Sequence, residues 1–344
     1  MQIGKTFNIP SVVCGETVFS WAARGLSLRY IESPHLFRNI INKLSTFSGG
    51  AFEYTPNWFL ERSDEEFGRS STLMCLASEL YGTTLSMCYR YFGSDSHLLT
   101  ILPFRTLACE DCLATSVQLK GFPVWHKEWC YVTAAYCSLH LRELRSPSNL
   151  PPVERRMWDC YLNSLQRGRQ AVTLDNKRVA LMVLRGRSWF VRASSYNQVI
   201  SDALLKLYSL LLSRRTLWAP EGIAGAGFGQ PQRLICRQEL GLFERLEYGL
   251  HSSDGLQRGG ALVLIGWLAG IYTEQDIIRI RGCDKRYRCS LPDNPKLLGI
   301  IALLVCTSKE ERTYISNALS PLRELRLARF DAFLEGVCVA ATSR

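Results

Sequence analysis

Cys109, Cys112, Cys137 and His140 are the residues of this chain whose types and spacing suit chemistry. They read C-x2-C, 24 intervening residues, then C-x2-H. Two short pairs of soft ligands, each on a tight turn, can converge and close a tetrahedral zinc site. All four positions are then filled by protein, the arrangement of a structural zinc; a catalytic zinc keeps one position open for water. The expectation is a single structural Zn2+ and no chemistry at the metal. Cys130, between Trp129 and Tyr131, reads as packing. Cys283 and Cys289 stand among Arg281, Lys285, Arg286 and Arg288 with no CxxC and no histidine beside them, so a second metal or redox site is not expected there.

Other motifs carry less. Gly222 to Gly229 reads G-I-A-G-A-G-F-G, which invites a phosphate-loop reading. It lacks the GK[ST] of a P-loop, and Gln230 stands where a dinucleotide fingerprint needs its third glycine, so a flexible loop is expected. There is no GxSxG and no HExxH. His126 lies within the metal segment without a second ligand at useful spacing, and His35, His97 and His251 are isolated. No catalytic residue is assigned, and the chain is not expected to be an enzyme. With 41 Lys and Arg against 31 Asp and Glu, the net charge is +10, which favours a polyanionic partner such as nucleic acid. The basic residues gather at Arg142, Arg145, Arg155 and Arg156, at Arg214 and Arg215, and most densely at Arg279, Arg281, Lys285, Arg286 and Arg288; phosphate contact is one reading of each group and a solvated face the other.

The elements that must position these residues are mainly α-helical. At 344 residues, 47% hydrophobic and 21% charged, the chain has the composition of a globular protein of two or three domains. Thirteen cysteines are an odd number and too few for a disulfide scaffold, and Met1 to Pro10 holds no apolar signal core, so a reducing cytoplasm is expected. The longest apolar run, Ala261 to Tyr272, is 12 residues. That is short of the roughly 20 of a membrane span, and it reads as a buried core helix.

Residues 1–100 read as a helix-turn-helix-like domain. Ser33-Pro34 marks one helix start, and Ser63 with Glu66 a capping box. Leu76 to Leu85 places a glycine at a turn between two helices, with Thr83 and Thr84 opening the second. Residues 101–146 form the zinc module, with Trp125, His126 and Trp129 as its aromatic mass. Such a segment is too small to bury a sufficient core, whereas a structural zinc supplies about 10–16 kcal/mol of apparent binding energy. Ser146 to Pro152 is a linker. Residues 153–344 form a carboxy-terminal helical domain, with helices over Glu154 to Leu165 and Asp202 to Leu212 (apolar at Leu204, Leu205, Tyr208, Leu211 and Leu212). A further helix is capped by Ser308 and Glu311, and a last one is opened by Pro321, with Leu322, Leu325, Phe330 and Phe333 inward. Between Arg178 and Val191 the periodicity also admits a β-hairpin.

Three of these features, taken in order, resemble the TniQ family, which includes the TnsD-type target selectors of bacterial transposons. The segment Cys109-Glu110-Asp111-Cys112-Leu113, then Trp129, then Cys137-Ser138-Leu139-His140 and Leu144 is similar to the zinc-finger core of that family. Gly15 to Arg24 is similar to its opening GE-SW-AR pattern, and the helix-turn-helix-like stretch falls in place between them. The resemblance covers about residues 10–145. Many members carry a second CxxC after the histidine and this chain does not, so one zinc is expected. Its length is nearer the shorter TniQ proteins, which occur in transposons that have captured CRISPR systems. The resemblance implies a dimeric adaptor in the bacterial cytoplasm that docks on an RNA-guided Cascade complex with its guide RNA, recruits the AAA+ regulator TnsC, and so brings the transposase to target DNA. Two rivals are a direct, sequence-specific DNA-binding selector or regulator, using Thr83, Thr84, Ser86 and Arg90 at a major groove, and a nuclease.

Overall fold

The structure, a computed structural model, describes residues 11–30, 66–69, 71–94, 97–146, 156–167, 173–217, 219–228, 240–277 and 294–342. It is mainly α-helical, as the periodicity predicts; among the described residues, β-structure is confined to isolated bridges. The chain divides into two compact units, Met1–Tyr131 with Arg145–Gln170, and Val132–Leu144 with Ala171–Arg344.

In the first unit, α1 (Val18–Tyr30), α2 (Thr72–Tyr81) and α3 (Leu85–Phe92) share one apolar centre. Trp21 meets the rings of Tyr81 and Phe92 at 4.3 and 5.2 Å, and the Tyr81 hydroxyl donates to the Ala22 carbonyl at 2.9 Å. The turn between α2 and α3 follows from its residues. Gly82 takes a left-handed conformation with φ 60° and donates to Ser78 O, a geometry glycine adopts without a Cβ penalty. Thr84 then caps α3 by accepting the Met87 N–H at 3.2 Å. Helix α4 (Glu110–Lys120) packs on α5 (Arg156–Arg167). Ser33-Pro34 and Ser63 lie outside the described residues. Glu66 is described, and it sits at 0% exposure in an ion-pair network.

The second unit is a bundle of α6 (Leu174–Ser194), α7 (Gln198–Leu212), a short α8 (Ile223–Gly227), α9 (Leu242–Ser252), α10 (Gly255–Leu268), α11 (Pro295–Ala302), α12 (Lys309–Leu319) and α13 (Ala328–Thr342). Every residue of α10 is buried, so the apolar run is a core helix as far as Leu268; Ala269 to Tyr272 form a turn through Gly270 at φ 74°. Helix α12 has the expected cap, with Ser308 Oγ accepting the Glu311 N–H. The most extensive pairing joins α11 to α13. Its closeness rests on two glycines, since a Cβ on Gly299 would lie 2.1 Å from Phe333 O, and one on Gly336 2.0 Å from Lys296 O.

One open alternative is decided here and two expectations are corrected. Residues 178–191 are helical, inside α6, which Thr173 caps. Val179, Ala180, Val183 and Phe190 are buried at helical spacing, and Gly186 lets α6 approach the Leu262 carbonyl of α10. The glycine-rich stretch is no flexible loop as far as Phe228, the last residue of it that is described. Ile223–Gly227 is a buried helical turn, and a Cβ on Gly222 would lie 2.4 Å from the Leu211 carbonyl, so the small residues serve close packing. Pro321 opens a 3-10 turn, Ser320–Leu325, rather than the last helix; Arg326 at φ 51° separates it from α13. Leu322, Phe330 and Phe333 do face inward.

Candidate metal centre

Cys109 and Cys112 are placed by the start of α4. Cys109 is its N-cap residue, in extended conformation, and its carbonyl accepts the Leu113 N–H at 3.1 Å. Cys112 follows in the first turn. Both sulfurs therefore lie at the end of the helix where unpaired amides and the macrodipole favour a thiolate. Cys137 and His140 are placed by a tight hairpin. The Tyr136–Glu143 bridge brings its arms together, Cys137 N donates to Arg142 O at 2.7 Å, and Leu141, at φ 50°, closes the turn. That turn aims the His140 N–H at Cys137 Sγ, 3.5 Å away, and sets His140 Nδ1 3.7 Å from the same sulfur.

The four ligand atoms lie within 4.8 Å of one another. Cys109 and Cys137 are 0% exposed and Cys112 6%. A filled tetrahedral Cys3His site with metal–sulfur bonds near 2.3 Å separates its sulfurs by about 3.8 Å, so small side-chain movements suffice to close this set on one ion. Its soft donors suit zinc. The cluster is thus able to bind one metal ion, with no protein position left for a substrate. Cys130, read as packing, is 0% exposed with its sulfur toward the His126 carbonyl. His126 packs against Trp129, ring centroids 4.9 Å apart.

The opening motif around Gly15 to Arg24 is explained by burial. Glu16, 1% exposed, accepts from Val13 N, Ser20 Oγ and both Nε and a terminal nitrogen of Arg24, the last at 2.7 Å. Ser20 Oγ in turn accepts the Trp125 N–H at 3.0 Å. Thr17 N donates to Trp125 O, and Lys127 N donates to Gly15 O. The motif is a buried polar clasp on the segment 125–127, where Trp125 and Trp129 meet edge to face at 5.4 Å.

The candidate nucleic-acid residues are dispersed in role. Thr84 is exposed, with its hydroxyl engaged as a cap; Thr83 is half-buried, its hydroxyl on Thr84 O and near Cys88 Sγ. Ser86 and Arg90 are exposed on α3. Arg279, Arg281, Lys285, Arg286 and Arg288 lie outside the described residues, as do Cys283, Cys289, Arg155 and His35. Arg156 is no surface residue. It is 1% exposed, pairs with Glu66 at 3.4 Å, and lies over the rings of Phe19 and Trp125. Glu66 also accepts from Arg105 at 2.9 Å. Periodicity could not find this triad, because its members are 39 and 90 residues apart. Arg214, 8% exposed, lies over the Tyr248 ring.

Compared with family models, with curated proteins and with solved structures, the chain finds no match in any of the three.

Proposed function

We propose that this chain is a non-enzymatic target-selection adaptor of DNA transposition, a relative of the TniQ proteins. It would link an RNA-guided Cascade complex to the AAA+ regulator TnsC and the transposase. The observation that carries the reading is the joining of the three features behind the resemblance. The Glu16–Arg24 clasp receives the Trp125 amide on Ser20, the helices flanking Gly82 pack on the same α1, and the four metal ligands follow in one cluster.

In this reading the metal is one Zn2+ held by Cys109, Cys112, Cys137 and His140. When bound it supplies cross-linking, and no open coordination position for catalysis. The adaptor acts by proximity, raising the effective concentration of the transposition machinery at a target held by its partner. A homodimer and a bacterial cytoplasmic setting belong to the same reading. A direct DNA-binding selector is the second reading, favoured by the +10 charge and by the α2–Gly82–α3 hairpin.

The test is purification of the tagged chain from its native cells at moderate salt, with bound proteins identified by mass spectrometry and bound nucleic acids by sequencing. Recovery of a Cascade complex with guide RNA supports the adaptor. One defined chromosomal site without guide RNA supports the direct selector, which would also show a steep salt dependence on duplex DNA. Divalent-metal-dependent DNA cleavage by the pure protein would overturn both.

A further inference from the structure

Helix α6 carries Lys177, Arg178, Arg185, Arg187 and Arg192 against a single acid, Asp175. At about 100° per residue, Lys177, Leu181, Arg185, Ser188 and Arg192 fall on one stripe, with Arg178 alongside. All six are exposed. Val179, Ala180, Val183 and Phe190 hold the opposite side in the core. Arg187 belongs to that inner side, half-buried and close enough to Tyr208 to act on its hydroxyl. By the same count Asp175 falls outside the stripe.

Lys177, Arg185 and Arg192 are not placed there to pair within the fold. No acid stands three or four residues from any of them, the spacing at which a helix supports a charge. Among the described residues none of the three makes an ion pair. Acids on neighbouring segments are engaged elsewhere. Asp202 of α7 accepts from Gln198 at 2.8 Å, and Asp276 accepts from the amide and hydroxyl of Thr273. Glu274 and Asp331 are exposed and pair with none of the three. The helix dipole favours Arg192 in the last turn, but it disfavours a cation in the first turn, where Lys177 stands.

A straight row of cations complements a straight row of anions. Lys177 to Arg192 spans about 22 Å of helix, the rise of about six or seven nucleotides of one strand. Guanidinium forks suit phosphate, and a serine hydroxyl such as that of Ser188 can donate to it. The cores of protein interfaces are instead depleted of charge. A membrane-surface helix lays an apolar face into the lipid, and the apolar face of α6 is in the core, leaving Leu174 and Leu181 outside. A single strand is held by aromatic rings that stack its bases. Here Trp189 is stacked on Phe330, centroids 6.0 Å apart, and Tyr196 lies beyond the end of the helix. A duplex, which presents backbone alone, fits the stripe best.

We propose that the outer stripe of α6, carried by Lys177, Arg185 and Arg192, is a contact surface for the phosphate backbone of double-stranded DNA, indifferent to base sequence. It goes beyond the adaptor reading and does not rest on it.

The test follows binding of the full chain to two duplexes of unrelated sequence by fluorescence anisotropy, between about 50 and 200 mM salt. The expected result is equal affinity for the two, falling steeply with salt. Combining Lys177→Gln, Arg185→Gln and Arg192→Gln removes three phosphate contacts, so the loss of affinity across that range should shrink by about 40-fold. Lys120→Gln, Lys309→Gln and Arg323→Gln, at exposed positions elsewhere, make the same change in net charge and should leave the salt dependence as in wild type. A photo-crosslinking residue at Leu181, 47% exposed between the arginines, should give a DNA adduct, which reads the site even where the triple variant fails to fold. A stripe variant with the salt dependence of wild type overturns the proposal, as does an equal loss in the control variant or no adduct at Leu181. So does binding through the stripe that is tighter to single-stranded DNA, to duplex RNA or to phosphatidylserine vesicles than to duplex DNA. Recovery of an RNA-guided complex from cells with no duplex contact at α6 leaves the adaptor reading and removes this surface; duplex contact at α6 with no such complex leaves this surface and removes the adaptor.

Discussion

Glu66 offers the sharpest test of how the first unit is held together. Its side chain is 0% exposed and accepts from Arg105, 0% exposed, and from Arg156, 2% exposed. One carboxylate thereby ties the residues before α2 to the stretch leading to Cys109 and to α5. Glu66→Ala would take the carboxylate away from two buried guanidiniums. Arg105 would keep its bond to the Thr100 carbonyl at 2.7 Å and its place over the Phe67 ring. Among the described residues, Arg156 would keep the ring faces of Phe19 and Trp125. Removing one partner of a buried pair costs about 3–5 kcal/mol, a large share of the 5–15 kcal/mol that typically holds a domain. At roughly 2–4 °C per kcal/mol for a domain of this size, the melting temperature should fall by about 6–20 °C. The exposed pair Lys296–Glu335, 3.6 Å apart with side chains 52% and 64% exposed, is the internal contrast. Breaking it should cost less than about 1 kcal/mol, with a cost that fades further in high salt. Hydrogen-exchange mass spectrometry across α2, α3 and residues 100–108, with thermal melts, reads both. A Glu66→Ala melt within about 2 °C of wild type, with amide protection retained over those segments, would refute the argument.

Three further outcomes are expected. Cys112→Ser should abolish the single metal equivalent, measured by mass spectrometry of the native protein and elemental analysis, and should erase amide protection in α4 and in the Cys137–His140 turn, because the binding energy of a structural zinc is folding energy; unchanged metal content and melting would defeat the assignment. Gly336→Ala should destabilise by at least about 1–3 kcal/mol, since the new methyl would meet the Lys296 carbonyl; a denaturant midpoint equal to wild type would show that α11 and α13 do not cross so closely. Burial pushes the Tyr272 phenol up to about 12, so the folded state holds this proton more tightly than the unfolded chain. Its contribution is therefore complete below about pH 10 and is lost as pH rises toward 12. Tyr272→Phe should flatten the fall in stability over that interval, and an unchanged slope would contradict the burial of this hydroxyl.

What the amino-acid sequence determined by itself is local. Cys109 with Cys112 and Cys137 with His140 are each three residues apart, and so are Thr84 with the amide it caps and Ser308 with Glu311. Within such a span, backbone chemistry and helix period decide the geometry, and residue type is enough to read it. The burial of α10 from Ala261 to Leu268 is likewise written in its apolar run, whereas that of Gln257 and Arg258 is not. The tertiary structure decided matters of long range. Whether Arg178 to Val191 formed helix or hairpin turned on Gly186 meeting the Leu262 carbonyl. Whether the glycines before Phe228 were loop or packed turn depended on the carbonyls of α7 beside Gly222. Whether Arg156 faced phosphate or the core depended on Glu66, 90 residues away. A charge has one meaning in water and another beside a buried partner, and a glycine one meaning in a loop and another beneath a helix. Neither difference leaves a periodic mark on the chain, because the partner that makes it is brought near only by folding.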